Sequence, residues 1–154
     1  MRLLRTASEP KTLTKDEVET LVSKLARLAA GQPVVLLYLH GSHAQGMQSA
    51  LSDIDIAVLL DPASSRDAKL RLDLLGSLQE ACGREDVDLA VLNTAGPILK
   101  DRVVRHGRLV FARSGKERIL FEAAAIKEAL DFQHFSRVYD DALFRQLEEG
   151  RFLG

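Results

Sequence analysis

The chain has 154 residues, 46% apolar and 28% charged, which fits one folded domain and excludes disordered and collagen-like classes. Its 21 basic and 22 acidic residues leave a formal charge of −1. This argues against a surface given over to polyanions, so no direct nucleic-acid contact is expected. The single cysteine, Cys82, excludes an intramolecular disulfide framework, and no apolar run approaches the roughly 18 residues of a membrane span.

Met1 to Thr6 lacks the apolar core of a secretory signal, so the cytoplasm is the expected address. Residues 1–13 have no clear period and read as an N-terminal arm or a loose first strand. Thr14 and Glu17 then form a capping-box pattern. Val18, Leu21, Val22, Leu25, Leu28 and Ala29 follow at helical spacing until Gly31 and Pro33 end the element. Val34 to Leu39 is a continuous apolar run of the kind buried on both faces of a sheet. After a small-residue segment, Gly41 to Ser52, a second strand is expected over 54–60, closed by Asp61-Pro62.

Leu70, Leu72, Leu74, Leu75 and Leu78 predict a helix over 66–81, and a third strand is expected over 87–92. Pro97 suits a helix first turn, with Ile98, Leu99, Val103 and Val104 as its apolar side and Gly107 as its stop. Leu109-Val110-Phe111 reads as a short edge strand. From Lys116 to about Glu149 the pattern is helical without Pro or Gly, as one long helix or two with a bend. The expected class is α/β (α+β): a small mixed sheet flanked by helices, with the main domain over 14–115. A helical C-terminal extension over 116–154 is expected to pack on the same domain.

The chemistry gathers between Gly41 and Asp55. Gly41-Ser42 leaves a buried strand at a turn where bare backbone, free N–H groups and a hydroxyl can approach a phosphate. Asp53 and Asp55 share one side of the next strand, while Ile54 and Ile56 point to the core. Asp88 lies in the third apolar strand, where an unpaired charge is costly. If the two strands are neighbours, the three carboxylates converge. Such hard oxygen donors beside a glycine turn suit Mg²⁺ and a nucleoside triphosphate.

Gly41-Ser42, Asp53-x-Asp55 and Asp88 resemble the DNA polymerase β-type nucleotidyltransferase superfamily, most closely its minimal nucleotidyltransferase (MNT) branch. Arg105-His106-Gly107-Arg108-Leu109-Val110 is similar to a weaker motif of the family, and Gln45 stands where many relatives have Arg. The resemblance implies an antitoxin paired with a HEPN-type ribonuclease toxin, moving AMP from ATP to a toxin tyrosine. It implies that Gly41 and Ser42 hold the triphosphate, and that Asp53 and Asp55 bind Mg²⁺. Asp88 would be metal-linked or the general base. A non-catalytic antitoxin and a transferase acting on a small molecule such as an aminoglycoside remain the alternatives.

Other features have plainer readings. His40 and His43 flank the glycine turn and are expected to be structural, since no Cys/His cluster supports zinc. Ser52 orders a turn. Lys100, Arg102, Arg105, Arg108 and Arg113 form a local basic group, read as a solvated face or a contact for nucleotide phosphates or an acidic partner. Phe132, Phe135, Tyr139 and Phe144 lie in the tail at largely helical spacing, as core, as a partner surface or as a homo-oligomer contact.

Overall fold

The computed structural model describes residues 13–41 and 53–150. Helix α1 (Lys15–Ala30) opens with the expected reciprocal cap: Glu17 N–H donates to Thr14 Oγ1 at 3.2 Å, and Thr14 N–H donates to Glu17 Oε2 at 2.7 Å. Four strands follow in the chain, β1 (Val34–His40), β2 (Ile54–Leu60), β3 (Val87–Val91) and β4 (Arg108–Ala112), in the sheet order β3-β2-β1-β4. Helix α2 (Ala68–Cys82) joins the parallel pair β2 and β3, as a crossover must. Its N-cap is Asp67, whose carboxylate accepts from Lys69 and Leu70 N–H. Helix α3 (Pro97–His106) connects β3 to β4, with Pro97 in the first turn.

The alternation of side chains divides the sheet between two cores. Leu37, Leu39, Ile54, Ile56, Val58 and Leu60 pack against Leu21, Leu25 and Ala29 of α1 and Leu74 and Leu78 of α2. On the opposite face, Leu36, Tyr38 and Ala57 meet Val103 of α3 and Phe121. β1 is the centre of the sheet, buried from Val34 through Leu39 and antiparallel to both neighbours. Beyond β3, Asn93 extends the pairing with its side chain: its Oδ1 accepts from Leu60 N–H at 2.8 Å and its Nδ2 donates to Leu60 C=O at 2.9 Å.

The tail is one unbroken helix, α4 (Gly115–Glu148), which at 1.5 Å per residue runs about 50 Å. Its first half is anchored through buried Ala125 and Ala129, and the buried Tyr38 hydroxyl donates to Glu122 Oε1 at 2.8 Å. Phe132, Phe135, Tyr139 and Phe144 are 42%, 68%, 61% and 64% exposed, so this chain alone does not use them as core. No helix among the described residues is long and apolar enough to cross a membrane. Residues 1–12, 42–52 and 151–154 lie outside the described residues, and with them most of the expected arm over 1–13 and of the expected small-residue segment after Gly41.

Three tests follow from these environments. Gly76 sits inside α2 with open space where a Cβ would stand, so Gly76→Ala should raise the unfolding free energy measured in urea by roughly 0.5–1 kcal/mol. A Cβ on Gly107 would instead overlap the Val103 carbonyl, and Gly107→Ala should cost about 1–3 kcal/mol. Burial pushes the half-buried Cys82 thiol up to about 11. The thiolate is the reactive form, so iodoacetamide at pH 8 should modify the folded protein at least about tenfold more slowly than the urea-unfolded chain.

Candidate active site

One end of the sheet carries His40, Asp55 and Asp88. β1 finishes there, and β2, β3 and β4 begin there. The register sets His40 opposite Asp55 and Asp55 opposite Asp88. Residues directly opposite one another share a face, and neighbouring strands lie about 4.8 Å apart. His40, Asp55 and Asp88 therefore stand in a row across three strands, on the face covered by α3 and α4. Ile54 and Ile56 have the opposite parity and are fully buried against α1 and α2. Asp53 is exposed just before β2. The segment leading into β3 is tied to this point, because Ile54 N–H donates to Asp86 C=O at 3.1 Å and Arg84 pairs with the Asp86 carboxylate.

Gly41 follows His40 with φ +72°, a left-handed conformation that favours glycine. A Cβ there would also collide with the Asp55 carboxylate. Bare backbone thus lies directly against an acidic side chain, and larger residues are excluded on two separate grounds. Ser42 and Gln45 lie outside the described residues.

Across from this turn, α3 completes a cavity of about 270 Å³. His40, Gly41 and Asp55 line it from the sheet, and Leu99, Arg102, His106 and Gly107 line it from α3 and its end. Burial holds His40 below the ordinary imidazole range, helped by Arg102 and opposed by Asp55 and Asp88. The imidazole is therefore neutral at pH 7 and is available as a hydrogen-bonding group. Gly107 is constrained on one ground only: a Cβ there would overlap the Val103 carbonyl of the last turn of α3, to which Gly107 N–H donates at 2.7 Å.

Of the residues expected from the sequence, the fold brings Gly41, Asp55 and Asp88 to one sheet end, with Asp53 two positions before Asp55. Asp88 is exposed, one strand over from the cavity lining. Among the described residues, no three His, Cys, Asp or Glu side chains form a ready-made metal cage. The donors nonetheless suit magnesium in kind, because that ion is held by one or two carboxylates with substrate phosphates and water completing its shell. From the sequence, His40 has a structural part and Arg102 belongs to a basic group that is either solvated or in contact with nucleotide phosphates or an acidic partner; neither Arg102 nor His106 is singled out there as cavity lining. The available signals were strand parity for His40, which shares a face with Asp55, and i,i+4 spacing for the α3 pair.

A family model for polymerase beta nucleotidyltransferases matches residues 23–116. The protein adenylyltransferase MntA of Shewanella oneidensis is 36% identical over 99 residues, 64% of this chain and 66% of that protein, so the chain spans just under two thirds of this relative's length. Among solved structures, a chain of a toxin–antitoxin crystal structure with AMP-PNP is similar at a TM-score of 0.67 and 31% identity, over 80% of this chain and 98% of that one. A complex of tri-AMPylated Shewanella oneidensis HEPN toxin with MNT antitoxin is similar at a TM-score of 0.64 and 27% identity, over 82% of this chain and 98% of that one. The matched residues begin within α1, pass through β4 and include Gly41, Asp53, Asp55 and Asp88; the chain belongs to the polymerase beta nucleotidyltransferase family.

Proposed function

We propose that this protein is an antitoxin that transfers AMP from ATP to a tyrosine hydroxyl of a partner HEPN-type toxin and so neutralises it. The observation that carries the reading is the pairing of Asp55 with Asp88 beside the bare backbone of Gly41. The relatives support it, one being a protein adenylyltransferase and another an MNT antitoxin in complex with an AMPylated toxin. The matched residues 23–116 support a nucleotidyltransferase domain over 14–115, with 1–13 as an arm and 116–154 as a helical extension. We place the reaction in the cytoplasm, a compartment that suits a chain with one half-buried thiol.

Gly41 and Ser42 admit the triphosphate against the backbone. Asp53, Asp55 and Asp88 would hold Mg²⁺, which when bound polarises the phosphates and offsets their charge. Asp88 lies on an edge strand and is exposed, so an acceptor brought by a separate protein can reach it. In the transfer, the tyrosine oxygen bonds to the α-phosphorus and the bond from that phosphorus to the bridging oxygen breaks. Pyrophosphate departs, and the hydroxyl proton passes to Asp88. The exposed apolar residues of α4, Phe135 and Tyr139 among them, provide a docking surface for the toxin.

The deciding experiment incubates the protein with labelled ATP, Mg²⁺ and its toxin. Label should pass to the toxin, and Asp53→Asn/Asp55→Asn or EDTA should reduce that transfer at least about 100-fold. Neutralisation that survives the double substitution without label would show a covering antitoxin instead. Label passing only to an added aminoglycoside would show a small-molecule transferase. Gly41→Ala should slow labelling at least about tenfold, because it displaces the Asp55 carboxylate.

A further inference from the structure

The basic residues between Lys100 and Arg113 look alike in the sequence, but the fold gives them different tasks. Lys100 Nζ lies 2.8 Å from Glu128, and Arg105 Nε lies 2.7 Å from Asp101. Arg108 grips both carboxylate oxygens of Glu19 at 2.8 and 2.9 Å. Arg113 reaches Asp61 at 2.8 Å and Glu117 at 2.6 Å. Arg102 is the exception: of these five, it alone makes no ion pair with a described carboxylate.

Arg102 is also the only one of the five that lines the cavity shared with Gly41 and Asp55. It is exposed, and His106 stands one turn further along the same wall of α3. The sheet side of this cavity is acidic, through Asp55 with Asp88 beyond it. A polyphosphate entering it meets repulsion from that side unless cations offset the charge. A guanidinium presents a planar fork of donors matched to phosphate oxygens, and it stays charged at every working pH.

Resting on the nucleotidyltransferase reading, we propose that Arg102 is a phosphate-binding residue of the nucleotide site, donating from α3 to the β- and γ-phosphates of the bound triphosphate. The sheet end then holds the reacting α-phosphate while the α3 wall holds the part that leaves. His106 borders the same wall as a second donor.

The test is calorimetric titration of the full chain with AMP-PNP and with AMP, both with Mg²⁺, so that no transfer is needed for a readout. Arg102→Ala should weaken AMP-PNP about tenfold or more while moving AMP less than about twofold, and Arg102→Lys should fall between. Arg105→Ala makes the same change in net charge one turn away, at a residue occupied by Asp101, and should stay within about twofold of the parent. Equal losses in Arg102→Ala and Arg105→Ala would overturn the assignment, as would an unchanged AMP-PNP affinity in Arg102→Ala or an equal loss for AMP. In those cases the parent still binds AMP-PNP and the reading of the site survives. A parent protein with no affinity for AMP-PNP would bring down both.

Discussion

Sliding β2 by one residue against β1 would turn Ile54, Ile56 and Val58 out of the α1–α2 core and drive Asp55 into it. Both changes are costly, the first in lost apolar burial and the second in an unpaired charge taken out of water. The hydrophobic alternation of β2 therefore fixes more than packing. It holds Asp55 on the α3–α4 face, opposite His40 on one side and Asp88 on the other. The tight fit of Gly41 against that carboxylate then positions the end of β1 relative to it. A polar site of this kind is built by its apolar neighbours.

The opposite wall is assembled by a different means. α3 lies against the sheet through buried Val103, and the chain leaves the helix at Gly107, where a Cβ would overlap the Val103 carbonyl. The ion pairs around it, such as Arg108 with Glu19 and Lys100 with Glu128, join α3, α4 and the strand edge to neighbouring elements. Exposed pairs of this type each contribute at most about 1 kcal/mol. Their larger effect is to occupy cations that would otherwise compete for an anion, which leaves the cavity with a defined positive side.

Local signals in the sequence carried far. The Thr14–Glu17 cap, the run from Val34 to Leu39 and the stop at Gly107 each correspond to an observed boundary within a residue or so. Asp53-x-Asp55 and Asp88 drew notice because charged residues inside apolar runs need a reason to be there, and the strands that carry Asp55 and Asp88 prove to be neighbours. What local pattern could not supply was direction and partnership. A strand buried on both faces reads the same whether its neighbours run parallel or antiparallel, and β1 proves antiparallel to both. The separation of Arg102 from Arg105, Arg108 and Arg113 depends on carboxylates as distant in the chain as Glu19 and Asp61, which no window around residue 105 contains. Helical spacing alone also could not tell whether Phe135 and Tyr139 would be covered by this chain.

The asymmetry of α4 has an energetic side. Its first half is held by Ala125, Ala129 and the Tyr38–Glu122 hydrogen bond, whereas its last turns keep their apolar residues in water. A helix segment without tertiary contacts is marginal in water and frays from its free end. Amide protection should therefore decline along this one rod, steeply past Ala129. Any protein that settles on the distal turns acquires, along with contact area, the order of the turns themselves. Association and helix completion become a single linked equilibrium, so the strength of the complex is set partly by how well the unbound end already holds its shape.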